Sequence, residues 1–334
     1  MKKKKICFGI ESTAHTFSVG IVDSECNILA NEKDSFTTKS GGLIPRELAE
    51  HHSRVGVEII SRALEKAGVS FKEIDCIAFS QGPGIGPALS VGAVAARMLS
   101  LQHSKPLIGV NHCVAHIEIG KKKCGCKDPL VLYVSGGNSQ VIGYESGRYR
   151  VYGETLDIGV GNLLDSFGRE IGLGFPAGPK MDEMYFGERN YIELPYSVKG
   201  MDLNFSGLLT AAKMKIWKAD EKDLVYSLMH TAFAMLTEVT ERALAHTGKK
   251  GLLLTGGVAA SKALQKMCSE MCEERGVRLF VCPSEFATDN GAMIAWTGLL
   301  MHNSGVTTPL EKSLTNQRFR TDQQEVTWLW ATRK

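Results

Sequence analysis

Net charge is scarce in this chain: 39 lysines and arginines against 36 aspartates and glutamates leave +3, too mild to mark a nucleic-acid binder by composition alone. No apolar run approaches the roughly 20 residues of a membrane span, so no such span is expected. The start, MKKKKICFGIES, is basic, but its apolar part is short and leads straight into a patterned strand, which argues against a signal peptide. The cysteines (Cys7, Cys26, Cys76, Cys113, Cys124, Cys126, Cys268, Cys272 and Cys282) are odd in number and scattered. That suits reduced thiols in a cytoplasm better than a disulfide framework. Cys124-Gly-Cys126 lacks the second CxxC of a zinc knuckle and reads as a surface loop, and Cys268 and Cys272 read as buried, inert thiols on one helix face. Two nucleotide motifs are missing as well: there is no GxxxxGKS, and no GxGxxG opens a helix.

At 334 residues the chain is long enough for two domains, each with its own core. One plan occurs twice. KICFGIES, FSVGIVDS and ECNILANEKDS read as three short strands joined by small turn residues, and PLVLYVSGGN, SQVIGYES and GRYRVYGETL repeat that meander without repeating its sequence. In the first half a helix follows from Pro45 to Ala67, with proline near its start and Gly68 at its stop, then a strand, the turn Gln81 to Pro87 and a small-residue helix. The second half mirrors this with a helix from Asp223 to His246, the strand Leu252 to Thr255, the turn Gly256-Gly257 and the helix Ser261 to Arg275. Each half adds one more strand and helix. Two βββαβαβα units in tandem make an α/β protein with actin-like, RNase H-like (ASKHA) lobes, the architecture of actin, sugar kinases and the Hsp70 ATPase, with ligands in the cleft between lobes. Residues 1–126 are expected to form the first lobe, and 127–297 the second, with an irregular insert at 157–201. Residues 298–334 are expected to return over the first.

Asn111 to Asn138 concentrates the chemistry. His112 and His116 are four apart, so on a helix their Cβ atoms lie roughly 5–6 Å apart on one face, where two imidazoles can share a metal ion. A histidine pair at that spacing is also an ordinary core or surface pair. Asp289 stands in the second half where the histidines stand in the first, so pseudo-symmetry brings a carboxylate across the cleft towards them. Mixed nitrogen and oxygen ligands of this kind suit iron or zinc. Peptide hydrolysis by an HExxH site is disfavoured, because Cys113 stands where the general-base glutamate is needed. About twenty residues on, LVLYV runs into Ser135-Gly136-Gly137-Asn138, a turn without bulky side chains on which a phosphate can lie against main-chain N–H groups. Gly256-Gly257 is its equivalent in position. Lysines cluster at Lys2 to Lys5, Lys121 to Lys123 and Lys249 to Lys250. Each cluster is either a solvated loop or an approach surface for an anionic partner. On these residues alone, an actin-like ATP-binding or ATPase module that regulates an assembly is the alternative to an enzyme of group transfer.

Over nearly its whole length the chain resembles the tRNA threonylcarbamoyladenosine transferase family, TsaD in bacteria and the catalytic KEOPS subunit in archaea and eukaryotes, once labelled O-sialoglycoprotein endopeptidases. The pieces that carry the resemblance are GIESTAHTFSVGIV, SQGPGIGPAL, GVNHCVAHIEIG, LYVSGGNSQVI, GETLDIGVGNLLDSFGR, MDLNFSGLLTA, TGGVAASKAL and FATDNGAMIAW. Tyr133 and the SGGN form look like the archaeal and eukaryotic branch. The resemblance implies transfer of a threonylcarbamoyl group from threonylcarbamoyl-AMP to the N6 amine of adenosine 37 in tRNAs reading codons that begin with A, in the cytoplasm. It implies one divalent metal, iron or zinc, bound by His112, His116, Asp289 and Tyr133. It also implies ATP or threonylcarbamoyl-AMP against Tyr133, Val134, Ser135, Gly136, Gly137 and Asn138, with Asp165, Gly178 and Asp182 towards the ribose and Gly256 and Gly257 towards the base. Ser261 stands where the family has Asn, so the contact made there is open. The implied partners are tRNA and the KEOPS subunits: a small dimerising subunit, a small protein kinase and a kinase-bound accessory subunit. The helix Pro45 to Ala67 is the expected dock.

Overall fold

The computed structural model describes residues 4–38 and 43–331. In the first half β1 (Ile6–Glu11), β2 (Thr16–Asp23) and β3 (Ile28–Ser35) form an antiparallel meander, followed by α1 (Pro45–Ala67), β4 (Cys76–Gly82), α2 (Gly86–His103), β5 (Leu107–Asn111) and α3 (His112–Cys124). β4 and β5 add in parallel, giving the sheet order β3-β2-β1-β4-β5. The second half opens with β6 (Leu130–Val134), β7 (Ser139–Glu145) and β8 (Arg148–Glu154). Then come α4 (Val160–Glu170), α5 (Gly178–Tyr185), the short hairpin β9 (Val198–Lys199) and β10 (Asp202–Leu203), α6 (Ser206–Lys213) and α7 (Glu221–Thr247). It closes with β11 (Gly251–Thr255), α8 (Lys262–Glu274), β12 (Arg278–Val281), α9 (Ser284–Ala287) and α10 (Gly291–Asn303). The order of this sheet, β12-β11-β6-β7-β8, matches the first strand for strand. The duplicated unit read from the sequence is the unit that folds. No described helix is long and apolar enough to cross a membrane.

Both sheets are covered on both faces, which is why their central strands are apolar almost without a break. In β1, Phe8 and Ile10 face one core with Ile59 and Ala63 of α1 and Ala93 and Ala96 of α2. Cys7 points the other way, into a central core with Ala292, Ala295 and Trp296 of α10. That central layer crosses over. Helix α10, from the second half, lies on β1, β2 and β4 of the first sheet, whereas α3, from the first half, packs against β6, β11 and β12 of the second. α3 and α10 also pack against each other. A division of the chain at residue 297 therefore falls inside α10.

The insert at 157–201 is more regular than its sequence suggests, since it holds α4 and α5. Cys124-Gly-Cys126 also differs from expectation. Gly125, at φ 67°, ends α3 in the left-handed conformation, and the amide of Cys126 bonds back to the Lys121 carbonyl, which buries the Cys126 thiol instead of leaving a surface loop. Beyond α10 the chain straps both halves. Thr308 and Asn316 donate to the carbonyls of Leu107 and Gln81, and Val326 donates to the carbonyl of Gly147.

Candidate metal and nucleotide site

The two helices of the central layer begin at the cleft, and a side chain fixes each start. Asn111 caps α3, its Oδ1 accepting from the Val114 amide at 3.1 Å, while its side-chain amide donates to the Phe319 carbonyl at 3.0 Å. Asn290 caps α10 in the same way through the Met293 amide at 3.0 Å. Their positions bring the end of β5 and the loop after α9 face to face. Nε2 of His112 lies 3.5 Å and Nε2 of His116 3.3 Å from Oδ1 of Asp289. One ligand atom from each of the three residues falls within 4.8 Å of the others, close enough for one ion. Tyr133, at the end of β6, has its ring 5.2 Å from that of His116. Its hydroxyl is buried without a hydrogen-bond partner, as is Nδ1 of His116. A phenol oxygen orphaned beside two imidazoles and a carboxylate fits a fourth ligand, so these residues can hold a metal ion.

Sequence reasoning passed over Glu11. Its carboxylate is fully buried, with Oε2 accepting from Nδ1 of His112 at 3.0 Å and Oε1 from the Thr13 amide at 2.6 Å. This fixes the tautomer that presents Nε2 of His112 to Asp289, the usual outer partner of a ligating histidine. The available signal was a lone acid closing the apolar strand KICFGIE. Burial alone would lower the pKa of His112, but Glu11 and then Asp289 outweigh it and push the group up to about 9. Burial holds His116 below its ordinary value. For Asp289 burial acts upward, yet the two imidazoles, His112 foremost, hold the carboxyl far below the usual range.

The glycine turn lies beside this group. Ser135 and Asn138 close it, the Ser135 amide donating to the Asn138 carbonyl at 2.7 Å and the Asn138 amide to Oγ of Ser135 at 3.1 Å. Gly136 and Gly137 stay exposed, with open space where a Cβ of Gly137 would stand. β6 and β11 pair in parallel, with Tyr133 opposite Thr255, so the Gly256-Gly257 turn reaches the same end of the sheet. Gly256 has φ 95°, and a Cβ there would come within 2.2 Å of the Val134 carbonyl oxygen, so no larger residue fits. Asp165 and Asp182 are engaged elsewhere. Oδ1 of Asp165 accepts from the Ala177 amide at 2.8 Å at the start of α5, beside Gly178, and burial raises its pKa. Asp182 accepts from the Ser261 hydroxyl and from the amides of Lys262 at 2.9 Å and Ala263 at 3.2 Å, and so anchors the start of α8. Ser261 is the N-cap of α8, a position that serine and asparagine fill equally well.

The lysine clusters are mostly committed. Lys121 is buried against Glu118 and the Tyr149 hydroxyl, Lys122 lies over Trp296 and Lys123 over Phe286. Lys249 pairs with Asp128 and Lys4 with Glu25, while Lys2 and Lys3 lie outside the described residues.

Helix α1 reaches the site through a buried relay. Nε2 of His51 is 2.7 Å from Asp34, Nδ1 of His51 is 3.1 Å from Nδ1 of His52, and Nε2 of His52 donates to the Ala14 carbonyl at 3.0 Å, one residue from Thr13. Burial, then His51, pushes the pKa of His52 down to about 4. An unfolded chain takes up this proton near pH 6.5 and the folded one only near 4. The contribution to stability is therefore complete above pH 6.5 and is lost as pH falls towards 4, by roughly 3 kcal/mol. In urea titrations from pH 7 to 4, His52→Gln, which keeps a donor for Ala14 but does not titrate, flattens that decline.

Fold and site together define a two-lobed, actin-like protein with a His-His-Asp group beside a glycine turn. The family described as tRNA N6-adenosine threonylcarbamoyltransferase matches residues 26–296. The protein of that name from Thermococcus kodakarensis is 55% identical over 325 residues, 97% of this chain and 99% of its own length. A probable bifunctional tRNA threonylcarbamoyladenosine biosynthesis protein from Methanosarcina mazei is 54% identical over 330 residues, 98% of this chain but 60% of its own length. Among solved structures, HypF from T. kodakarensis superposes with a TM-score of 0.62 at 15% identity, over 93% of this chain and 49% of that one. The activator of the 2-hydroxyisocaproyl-CoA dehydratase from Clostridium difficile gives 0.53 at 12% identity, over 92% and 99%. These two share the fold alone. The chain belongs to the tRNA N6-adenosine threonylcarbamoyltransferase family.

Proposed function

We propose that this chain transfers the threonylcarbamoyl group from threonylcarbamoyl-AMP to the N6 amine of adenosine 37 in tRNAs reading codons that begin with A. The observation that carries this reading is the convergence of His112, His116 and Asp289 from the two halves beside the Ser135–Asn138 turn. The adenine N6 attacks the carbamoyl carbon and loses a proton, the bond from that carbon to the phosphate oxygen breaks, and AMP leaves. A divalent ion held by His112, His116, Asp289 and Tyr133 would supply positive charge to polarise the carbamoyl oxygen. A phenol among its ligands favours iron over zinc. Gly136 and Gly137 offer exposed main-chain donors to the leaving phosphate. Asp165, Gly178, Asp182 and Ser261 frame the ribose side. Asp165 and Asp182 act there mainly by fixing α5 and α8, since their oxygens already serve those helix starts.

The chain works in the cytoplasm inside a KEOPS-like assembly, with the small dimerising subunit docked on α1, where Val57 is exposed, and the small kinase and its accessory subunit beyond. The test is to combine purified protein, iron or zinc, threonylcarbamoyl-AMP and tRNA, with and without those subunits, and to measure modified adenosine. Its formation only when metal is present is the expected result. None under any of these conditions would overturn the proposal.

A further inference from the structure

We infer that the turn Met214–Lys218, at the far end of α6, is a second contact for the tRNA, with Trp217 stacking on a base and Lys215 and Lys218 meeting neighbouring phosphates. This rests on the transferase reading, and it names where the substrate touches the protein outside the cleft. The segment reads KMKIWK over 213–218. Trp217 is 94% exposed and Met214 70%, whereas Trp296 and Trp328 are buried. An indole left almost wholly in water is unusual for a residue of its size.

The charge around it selects the partner. Lys213 is paired with Glu170 at 2.6 Å, but among the described residues no carboxylate pairs with Lys215 or Lys218. The acids that follow are largely occupied: Asp220 caps α7 through the amides of Lys222 and Asp223, and Asp223 accepts from Asn190. Glu221 is open, next to Lys222. A protein interface concentrates aromatics but depletes lysine at its core. Lysines interleaved with an exposed aromatic are the pattern that binds single-stranded or terminal nucleotides, through phosphate contacts and stacking together.

Position agrees with charge. α4 and α6 start side by side, since Asp157 accepts from the amides of Ile158 at 2.6 Å and of Ser206 at 2.8 Å, and they end side by side at the Lys213–Glu170 pair. α4 begins against the glycine turn, where a Cβ on Gly161 would stand 2.8 Å from Cα of Gly136. Eleven residues at 1.5 Å each put the Met214–Lys218 turn roughly 16 Å along the rim from the phosphate seat. That is about five stacked nucleotides at 3.4 Å a step. An RNA with one base in the cleft continues over this distance.

The test uses the full chain with metal and partner subunits. Trp217→Ala is expected to raise the KM for tRNA about tenfold, with kcat, metal content and the KM for threonylcarbamoyl-AMP unchanged, and Trp217→Phe to keep most of the wild-type value. The double variant Lys215→Ala, Lys218→Ala is expected to lower the slope of log Kd for tRNA against log salt by about 1.5 to 2. Tryptophan fluorescence should be quenched by tRNA in the wild type and much less in Trp217→Ala. Unchanged tRNA KM and salt slope in an active enzyme would overturn this inference and leave the transferase reading intact. Loss of subunit binding or a changed oligomeric state, with RNA binding intact, would also overturn it, because the turn would then be a protein contact. Absence of transfer by the wild type would count against the transferase reading instead, and the quenching and salt titrations would still decide the RNA contact.

Discussion

Asp289→Ala is expected to lose the metal and to lower transfer by a factor of about a thousand or more while the protein stays folded. Asp289 is the one member of the His-His-Asp group that comes from the second half, and its Oδ1 lies 3.3 Å and 3.5 Å from the two imidazoles. Without it, two histidines on one helix are left with a buried phenol, and the charge that neutralises the cation is gone. Removing an outer partner of a metal ligand costs about 10–100-fold in affinity, so loss of a ligand itself exceeds 100-fold. The fold survives because α10 is held by other groups: Asn290 caps it, and the Gly291 amide donates to Oγ of Ser18 at 2.8 Å. Metal analysis, a thermal melt and the transfer assay on one preparation separate these effects. Metal-free Asp289→Ala with full activity would remove the ion from the chemistry.

That group could be anticipated because each of its parts carries a local signal. The two meanders were legible from alternation and small turn residues, and the shared face of His112 and His116 from their spacing of four. The crossing of α3 and α10 was not legible, because helical periodicity gives the face a helix buries but not the sheet it buries against. α10 is buried nearly all round, so it offers no polar face to read. Glu11 was missed for a related reason: an acid at the end of a buried strand looks like a strand terminus until His112 is seen 3.0 Å away. The lysine clusters stayed ambiguous because sequence does not show what a lysine lies against: the Nζ atoms of Lys121, Lys122 and Lys123 sit over the rings of Tyr149, Trp296 and Phe286. Ser261 and Asp182 show how a residue expected at a ligand can first serve a helix start.

The share of metal affinity that His112 controls is expected to rise by a factor of about 50 between pH 7 and 9, with one proton displaced from it for each ion bound at neutral pH. The ion needs Nε2 of His112 free, yet in the metal-free protein this group is pushed up to about 9, because Glu11 and Asp289 outweigh the effect of burial. Below that value His112 costs a factor of about ten in affinity per pH unit, and above it its dependence ends. His116 and Asp289 add no slope in this window, since burial holds His116 below its ordinary value and Asp289 stays ionised. Burial holds the Tyr133 phenol well above its ordinary value, so its binding as phenolate releases one further proton at every pH in the window, in the wild type and in Glu11 variants alike. Glu11→Gln keeps an acceptor for Nδ1 of His112 but removes the charge that raises it most. The pKa of His112 then falls, and its share of the slope between pH 7 and 9 shrinks. The variant binds about 10–100-fold more weakly at pH 9. At pH 7 the deficit is smaller, because the proton on His112 competes less with the ion. Calorimetric titration of the metal in buffers of different ionisation enthalpy counts the protons directly. A wild type that releases no more protons at pH 7 than Glu11→Gln, or a variant with the wild-type slope, would show that Glu11 does not set the charge of His112.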